Sequence, residues 1–513
     1  MKIKIKSGLL EISPADALVL FIREGVAGTS KKKRSPGSAL TGIAGRIDKV
    51  AGGIIADLIK AGDFTGKQDE TTLLYTRGSF PSKRIILSGL GEAERFSADS
   101  MRRAVAAACR RASDLKIGSI AASLDDEFGD LTIDQASEAL AEGFMLSGYC
   151  FDRYKADEGK KPRVKELHVY VDDRAGRAKL RNVKESLEAA ETVCEAVLLA
   201  RDLSCAPANL VTPAAMTRKA FELSAPNLKV KALGPSEMKK LGMNAVLCVA
   251  QGSNEPASFI IMEYAGKRGS DERIVIAGKA ITFDSGGISL KPAEKMEEMK
   301  ADMSGGAAVI AVMKAVAALK LPVNIVGLVP AAENLPGGKA YKPGDIIKTM
   351  SGLTVEVIST DAEGRMLLAD ALTYAAKYKP AALIDIATLT GACHVALGDN
   401  VCGMFSNDER LKSLLVEASS QTGEKVWELP LVDEYRELIK SNVADLKNTG
   451  GRFGGAITAA LFLNRFAGDV PWAHLDIAGP AWSSSAKGYV PMGATGFGVR
   501  LLVSFVKNWL KRQ

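Results

Sequence analysis

The run STDAEGRMLLAD, residues 359–370, sets two carboxylates, Asp361 and Glu363, two positions apart and a cation, Arg365, two further on. Carboxylates that close repel unless a proton or a cation joins them. Three charges at a turn are costly to desolvate without an offsetting partner. A divalent metal is the simplest partner; a solvated helix start, where the dipole favours acids, is the plain alternative. A second constellation, IVIAGKAITFDSGGISLK at 274–291, brings Lys279, Asp284 and Lys291 out of an apolar strand. Its Gly286 and Gly287 allow backbone to approach a ligand closely. Lys279 is either half of an ion pair or, deprotonated beside a metal, a nitrogen ligand. The third piece, MEEMKADMSGGAAV, places Asp302 before Ser-Gly-Gly within an apolar helical pattern, where an acid needs a partner. Asp284, Asp302, Asp361 and Glu363, with Lys279 as a fifth donor, would suit two divalent ions at the strand ends of one sheet, sharing a water. Such sites hydrolyse acyl or phosphoryl centres. Lys291 and Arg365 remain for an oxyanion or an anionic helper.

Composition narrows the field. The 513 residues exceed one typical core, and 47% hydrophobic with 25% charged is ordinary for globular chains. A net charge of +7 is small for this length and demands neither nucleic acid nor an anionic membrane. Seven scattered cysteines without a CxxC pair argue for a reducing compartment and against zinc thiolate. With three histidines and no HExxH, a metal site must be built mainly from carboxylates, which favours Mn²⁺, Mg²⁺ or oxygen-ligated Zn²⁺. No stretch near the start suits a signal peptide, and the apolar run at 305–332 reads as a buried helix and strand rather than a membrane span. The expected location is cytoplasmic.

The elements that must position these residues follow an α/β alternation. Strands are expected at 2–6, 17–23, 72–77, 84–89, 117–124 and 166–171, with helices at 100–115 and 134–146. This is a first α/β domain, 1–178. Apolar residues at steps of three and four from Leu180 to Ala200 predict a long connector helix, 179–206, ended by CAPANLVTP. A second α/β domain, 207–513, has expected strands at 228–232, 258–264, 273–277, 323–329, 354–358, 382–386 and 472–477. Helices are expected at 295–319, 367–377, 410–422 and 456–466. Several strands are apolar throughout, as when helices cover both faces of a mainly parallel sheet. Two basic loops, at 30–38 and 160–163, could touch a phosphate backbone but read more simply as solvated loops. The turn at 87–96 could hold an anion at a helix start, though it lacks a full GxGxxG.

The motifs VIAGKAITFDSGGISLKP, MKADMSGGAAV, STDAEGRMLLADAL, IDIATLTGA, WAHLDIAGPAW and GATGFGVR together resemble the leucyl aminopeptidases, peptidase family M17. They span 279–500. The resemblance implies a smaller, macro-domain-like first domain before a catalytic αβα domain, and peptide substrates trimmed from the amino terminus. It implies a tight metal on Lys279, Asp284, Asp302 and Glu363, and an exchangeable one, Mn²⁺ or Zn²⁺, on Asp284, Asp361 and Glu363. Lys291 would polarise the scissile carbonyl. Arg365 would hold a bicarbonate-like anion that takes a proton from water. The substrate's free α-amine would bind the exchangeable metal, which explains exopeptidase specificity. Met299, Thr388, Leu389 and Gly391 would line an apolar pocket for a leucine-like first residue. A homohexamer is likewise implied. Two positions depart from the family's usual residues: Ser359 where asparagine is common, and Met366 where leucine is. Neither is a ligand position, but Ser359 could alter hydrogen bonding behind the metals.

Two other readings have some footing. A dinuclear phosphoesterase would use the same metals, but no phosphate-cradling glycine loop adjoins the carboxylates. A DNA-binding role for the first domain rests only on the basic loops and is the minor expectation.

Overall fold

The computed structural model describes residues 1–25, 40–125, 128–156 and 163–512. The chain divides into two compact units, Met1–Cys194 with Ser485–Pro491, and Glu195–Ser484 with Met492–Gln513.

In the first unit, six strands form one sheet among the described residues: β1 (Lys2–Ser7), β2 (Ala17–Ile22), β3 (Thr71–Tyr75), β4 (Arg84–Gly89), β5 (Ser119–Ser123) and β6 (Glu166–Val171). Their order is β1-β6-β5-β2-β4-β3, parallel except where β3 meets β4. Helices α1 (Gly42–Val50), α2 (Ile54–Ala61), α3 (Ala98–Asp114) and α4 (Ile133–Ser147) accompany it. The apolar centre of β2, Leu18, Leu20 and Ile22, packs with Ile47 of α1 and Ile55 of α2. Helix α4 starts on a reciprocal cap, with Thr132 accepting from the Gln135 N–H and Gln135 from the Thr132 N–H. The basic loop at 30–38 lies outside the described residues, as do residues 160–162 of the second; Arg163 pairs with Asp152. Helix α5 (Gly176–Cys205) begins in this unit and ends in the other.

The second unit is built on a nine-stranded mixed sheet. Its strands are β7 (Leu228–Leu233), β8 (Ser258–Ala265), β9 (Ile274–Gly278), β10 (Ala280–Asp284), β11 (Asn324–Asn334), β14 (Ala382–Ala387), β15 (Val401–Ser406), β16 (Lys425–Glu428) and β18 (Trp472–Asp476). The order is β16-β15-β18-β14-β9-β11-β8-β7, with β10 continuing on β11. Strands β18, β14, β9 and β11 run parallel, and their buried, mostly apolar stretches explain why they read as strands. A separate three-stranded sheet joins β12 (Ile346–Lys348), β13 (Thr354–Glu356) and β17 (Leu446–Lys447). The helices are α6 (Pro213–Phe221), α7 (Pro235–Lys240), α8 (Asn244–Ala250), α9 (Ser304–Ala318), α10 (Gly364–Ala375), α11 (Gly391–Leu397), α12 (Glu409–Thr422), α13 (Gly455–Ala467) and α14 (Val499–Lys511).

Two expectations are corrected here. The single helix over 295–319 is instead a 3-10 turn, Met296–Ala301, followed by α9, with Asp302 in the break between them. The break has a packing cause. Helix α9 begins hard against the sheet: a Cβ on Gly305 would sit 2.2 Å from the Ile386 carbonyl oxygen, and the Gly306 N–H donates to the Lys279 carbonyl at 2.7 Å. The apolar stretch Met296–Ala318 is long enough to cross a membrane, yet it is mostly buried as a core element of this unit. The second correction concerns Asp361 and Glu363. They do not follow a strand of the main sheet; they follow β13 of the small one. Two sheets therefore contribute donors to one place.

Candidate active site

Strand β9 pairs with β14 as far as Gly278, opposite Ile386, and β10 then follows β11 alone. The partners part at the carboxyl ends of parallel strands, where α/β sheets commonly bind ligands. Lys279 stands at the fork and its N–H still reaches the Ile386 carbonyl at 3.1 Å. Its buried ammonium donates to Asp302 Oδ1 at 2.9 Å and the Thr388 carbonyl at 2.8 Å, and it forms ion pairs with Asp302 Oδ2 at 2.8 Å and Glu363 Oε1 at 2.7 Å. Gly364, the first residue of α10, leaves room for that side chain: a Cβ there would lie 2.6 Å from Lys279 Cε and 2.8 Å from Nζ.

Asp284 closes β10. Its Oδ1 accepts the Gly286 N–H at 2.9 Å and Asn334 Nδ2 at 2.8 Å, and its Oδ2 meets Lys291 Nζ at 2.8 Å. Lys291 also pairs with Asp361. Gly286 and Gly287 take φ of +85° and +69°, left-handed values that glycine adopts without strain. A Cβ on Gly286 would come within 3.0 Å of Asp361 Oδ1, so the chain passes directly beside the carboxylates.

The turn carrying Asp361 and Glu363 is held from three sides. The Thr360 carbonyl accepts from Asn334 Nδ2 at 3.0 Å and from the Tyr341 hydroxyl at 2.8 Å. Asn448 accepts the Ile358 N–H at 2.8 Å and donates to the Ser359 carbonyl at 2.6 Å. The Ser359 hydroxyl accepts the Asp361 N–H at 3.2 Å, so this departure from the usual residue acts directly behind a candidate ligand. Arg365, buried, gives Nη1 to the Asn448 carbonyl at 2.8 Å, while its Nε is buried without a partner among the described residues.

The electrostatics are those of an acidic pocket short of positive charge. Burial raises the carboxyl groups of Asp302, Glu363 and Asp361, with Asp284 adding repulsion and the lysines opposing it. Burial alone would lower Lys279 and Lys291, but the surrounding carboxylates more than compensate, and both are raised. Arg365 is pulled down to about 10 by burial, against the attraction of Glu363 and Asp476. Oxygens of Asp284, Asp361 and Glu363 lie within 4.8 Å of one another, close enough to share one cation. The donor set, the glycine-lined approach and the orphaned Arg365 Nε together fit divalent metal with an adjoining anion.

All five expected metal donors thus converge, and Lys291 and Arg365 flank them. Thr388 joins too: its hydroxyl donates to Asp302 Oδ1 at 2.6 Å. Leu389 and Gly391 continue the same turn, with Gly391 opening α11 beside open space. Met299 is one 3-10 turn before Asp302, whose N–H it accepts at 3.3 Å. The sequence reading missed Asn334, Asn448 and Asp476. Each is a buried polar residue at or beside the end of a strand, β11, β17 and β18 respectively, and that was the available signal.

Residues 198–503 match the family model for the catalytic domain of cytosol aminopeptidases, and residues 27–158 match that family's N-terminal domain. The chain belongs to the cytosol aminopeptidase family. It is 49% identical to the "Probable cytosol aminopeptidase" of Geobacter sulfurreducens over 90% of this chain and 92% of that one. Its counterpart in Geotalea uraniireducens is 47% identical, covering 92% and 96%. Among solved structures, a mutant tomato leucine aminopeptidase superposes with a TM-score of 0.86 at 34% identity, covering 99% of this chain and 96% of that one. The bottromycin maturation enzyme BotP in complex with Mn gives 0.81 at 32% identity, covering 96% and 99%. The protein is a peptidase of the metal-dependent aminopeptidase class with a two-domain α/β fold. The phosphoesterase and DNA-binding readings gain no support from these relationships.

Proposed function

We propose that the protein releases leucine-like residues from the amino termini of peptides at a centre formed by Lys279, Asp284, Asp302, Asp361 and Glu363. The observation that carries this is the convergence of Asp284, Asp361 and Glu363 on one point, with Lys279 linking Glu363 to Asp302 beside it. One ion would be held by Lys279, Asp284, Asp302 and Glu363, the other by Asp284, Asp361 and Glu363. Two such ions, Mn²⁺ or Zn²⁺, supply Lewis-acid activation of water and of the scissile carbonyl. The BotP structure with Mn supports a metal of this kind.

The protein's own groups do the rest. Lys291, on the glycine turn after Asp284, donates to the oxyanion as the carbonyl becomes tetrahedral. Arg365, whose Nε has no partner among the described residues, would hold a bicarbonate-like anion, a group that would supply the acceptor for the proton lost by water. Thr388, Leu389, Gly391 and Met299 bound the pocket for the first side chain. A free N-terminal amine beside the carbonyl distinguishes the true substrate from internal peptide bonds. The whole site falls within 207–513, which supports assigning catalysis to that part, with 1–178 as a separate domain and 179–206 as the connector. Homohexameric assembly and a cytoplasmic location accord with the family.

The test is direct. Metal-stripped protein is reloaded with Mn²⁺ or Zn²⁺ and assayed on leucine-p-nitroanilide and on bis(p-nitrophenyl) phosphate. Cleavage of the anilide alone, with two metal equivalents per chain, is expected. Metal uptake without anilide cleavage would sink the proposal. Sedimentation in the same buffer checks the hexamer.

A further inference from the structure

Asp476 ends β18 at the carboxyl edge of the sheet, paired in register with Ala387 at the end of β14. It is fully buried. Oδ1 accepts the N–H groups of Leu389 at 3.1 Å, Thr390 at 3.4 Å and Ala478 at 3.1 Å. Oδ2 accepts the Thr390 hydroxyl at 2.6 Å. Buried N–H and O–H donors left without an acceptor are costly, and one side chain satisfies all four. The turn from Thr388 to Thr390 is therefore clamped from below by one carboxylate.

The upper side of the same turn faces the metal donors. The Thr388 carbonyl accepts Lys279 Nζ at 2.8 Å, and its hydroxyl donates to Asp302 Oδ1 at 2.6 Å. Leu389 lies between these two sets of bonds. Asp476 touches neither Lys279 nor Asp302 in any of these bonds, and Thr388 is the link.

We propose that Asp476 is a positioning residue: through the Thr388–Thr390 turn it fixes the aim of Lys279 and Asp302 and, at the same time, the shape of the pocket for the substrate's first side chain. This rests on the aminopeptidase reading above. A buried aspartate that only stabilises the fold would change the amount of active protein. A positioning residue changes what that protein prefers. The ratio of kcat/KM for a leucyl amide to that for a glycyl amide does not depend on the active fraction, so it separates the two roles.

The experiment uses the full chain loaded with Mn²⁺. Asp476→Asn keeps the shape but replaces Oδ2, or Oδ1, with a group that cannot accept. Thr390→Val removes the hydroxyl arm to Asp476 together with the α11 cap on the Cys393 N–H at 3.1 Å, so Thr390→Ser, which restores both, must restore the ratio; this comparison decides the matter if the first variant does not fold. Asp408→Ala removes the cap of α12 at Leu411, away from the site, and serves as the stability control. Asp476→Asn and Thr390→Val are expected to lower the leucyl-to-glycyl ratio at least fivefold and to weaken Mn²⁺ binding by calorimetry. Asp408→Ala is expected to move neither. A ratio within twofold of wild type in every folded variant of the pair would overturn the proposal. Wild-type protein that hydrolyses neither amide would overturn the aminopeptidase reading itself, and this inference with it.

Discussion

Lys279 has no slack. Gly364 is its neighbour, and a methyl there would fall 2.6 Å from both Cδ and Cε, well inside contact distance. Gly364→Ala must therefore push the amine off Asp302 and Glu363. Calorimetry with Mn²⁺ should show one of two binding events weakened at least tenfold, with circular dichroism unchanged. Unaltered binding would mean that Lys279 is not a ligand. Lys291 makes a contrasting case, because it reaches Asp284 and Asp361 from the glycine turn rather than from inside the donor cluster. Lys291→Ala should keep both metals and lose kcat by roughly a hundredfold or more, the scale of a lost oxyanion donor. Loss of metal with unchanged turnover per metal would reassign Lys291 as a structural counter-ion. These residues were legible in the sequence because their types and spacings carry the chemistry. The residues that hold them were not. Asn448 reaches Ser359 from 89 positions away, and Asp476 reaches Leu389 from 87, so no local pattern links them.

Elements were read well where one periodicity ran unbroken. The central strands matched because both faces are buried, and α3, α4, α12 and α13 because their apolar faces recur in step. Helices α1 and α2 escaped notice because Gly52 and Gly53, with φ of +76° and +86°, divide one apolar stretch into two short helices. The break at Asp302 was hidden for the opposite reason: the apolar pattern continues through it, while the close contacts of Gly305 and Gly306 with the sheet are made to residues distant in sequence. Helix α10 carries its own test. Beyond the catalytic turn its Asp370 is fully buried and accepts the N–H groups of Ala245 at 2.9 Å, Val246 at 3.0 Å and Met350 at 2.9 Å. Burial pushes its carboxyl up to about 7, against the pull of those three donors. The folded value lies above the ordinary one, so the stability this group contributes is full below ordinary carboxylate values and is lost as pH rises through about 7. Wild type should lose stability relative to Asp370→Asn between pH 4 and pH 7, by at most about 1.4 kcal/mol per unit. Urea unfolding of both proteins across that range measures it, and parallel curves would contradict it.

At the scale of the molecule, the site is a seam. Lys279 and Asp284 come from the main sheet, Asp302 from the start of α9, and Asp361 and Glu363 from the turn between the small sheet and α10. Ions bound there would tie together segments that the chain separates, and would bind only when those segments are in place. A ligand confined to the folded state adds about 2.7 kcal/mol at a hundredfold excess over its Kd. All five donors lie in the second compact unit. Mn²⁺ should therefore raise the unfolding temperature of that unit, and a chelator should lower it, while the first unit's transition stays put where the two are resolved by calorimetry. Asp284→Ala and Glu363→Ala remove oxygens that the two proposed ions would share and should abolish the shift along with turnover. The direction with pH also follows. Burial raises Asp302, Asp361 and Glu363, so protons compete for the oxygens the ions need. Stabilisation by Mn²⁺ should shrink as pH falls; a shift in the second unit that is the same at pH 5 and pH 8, or that survives in Asp284→Ala, would place the ions elsewhere.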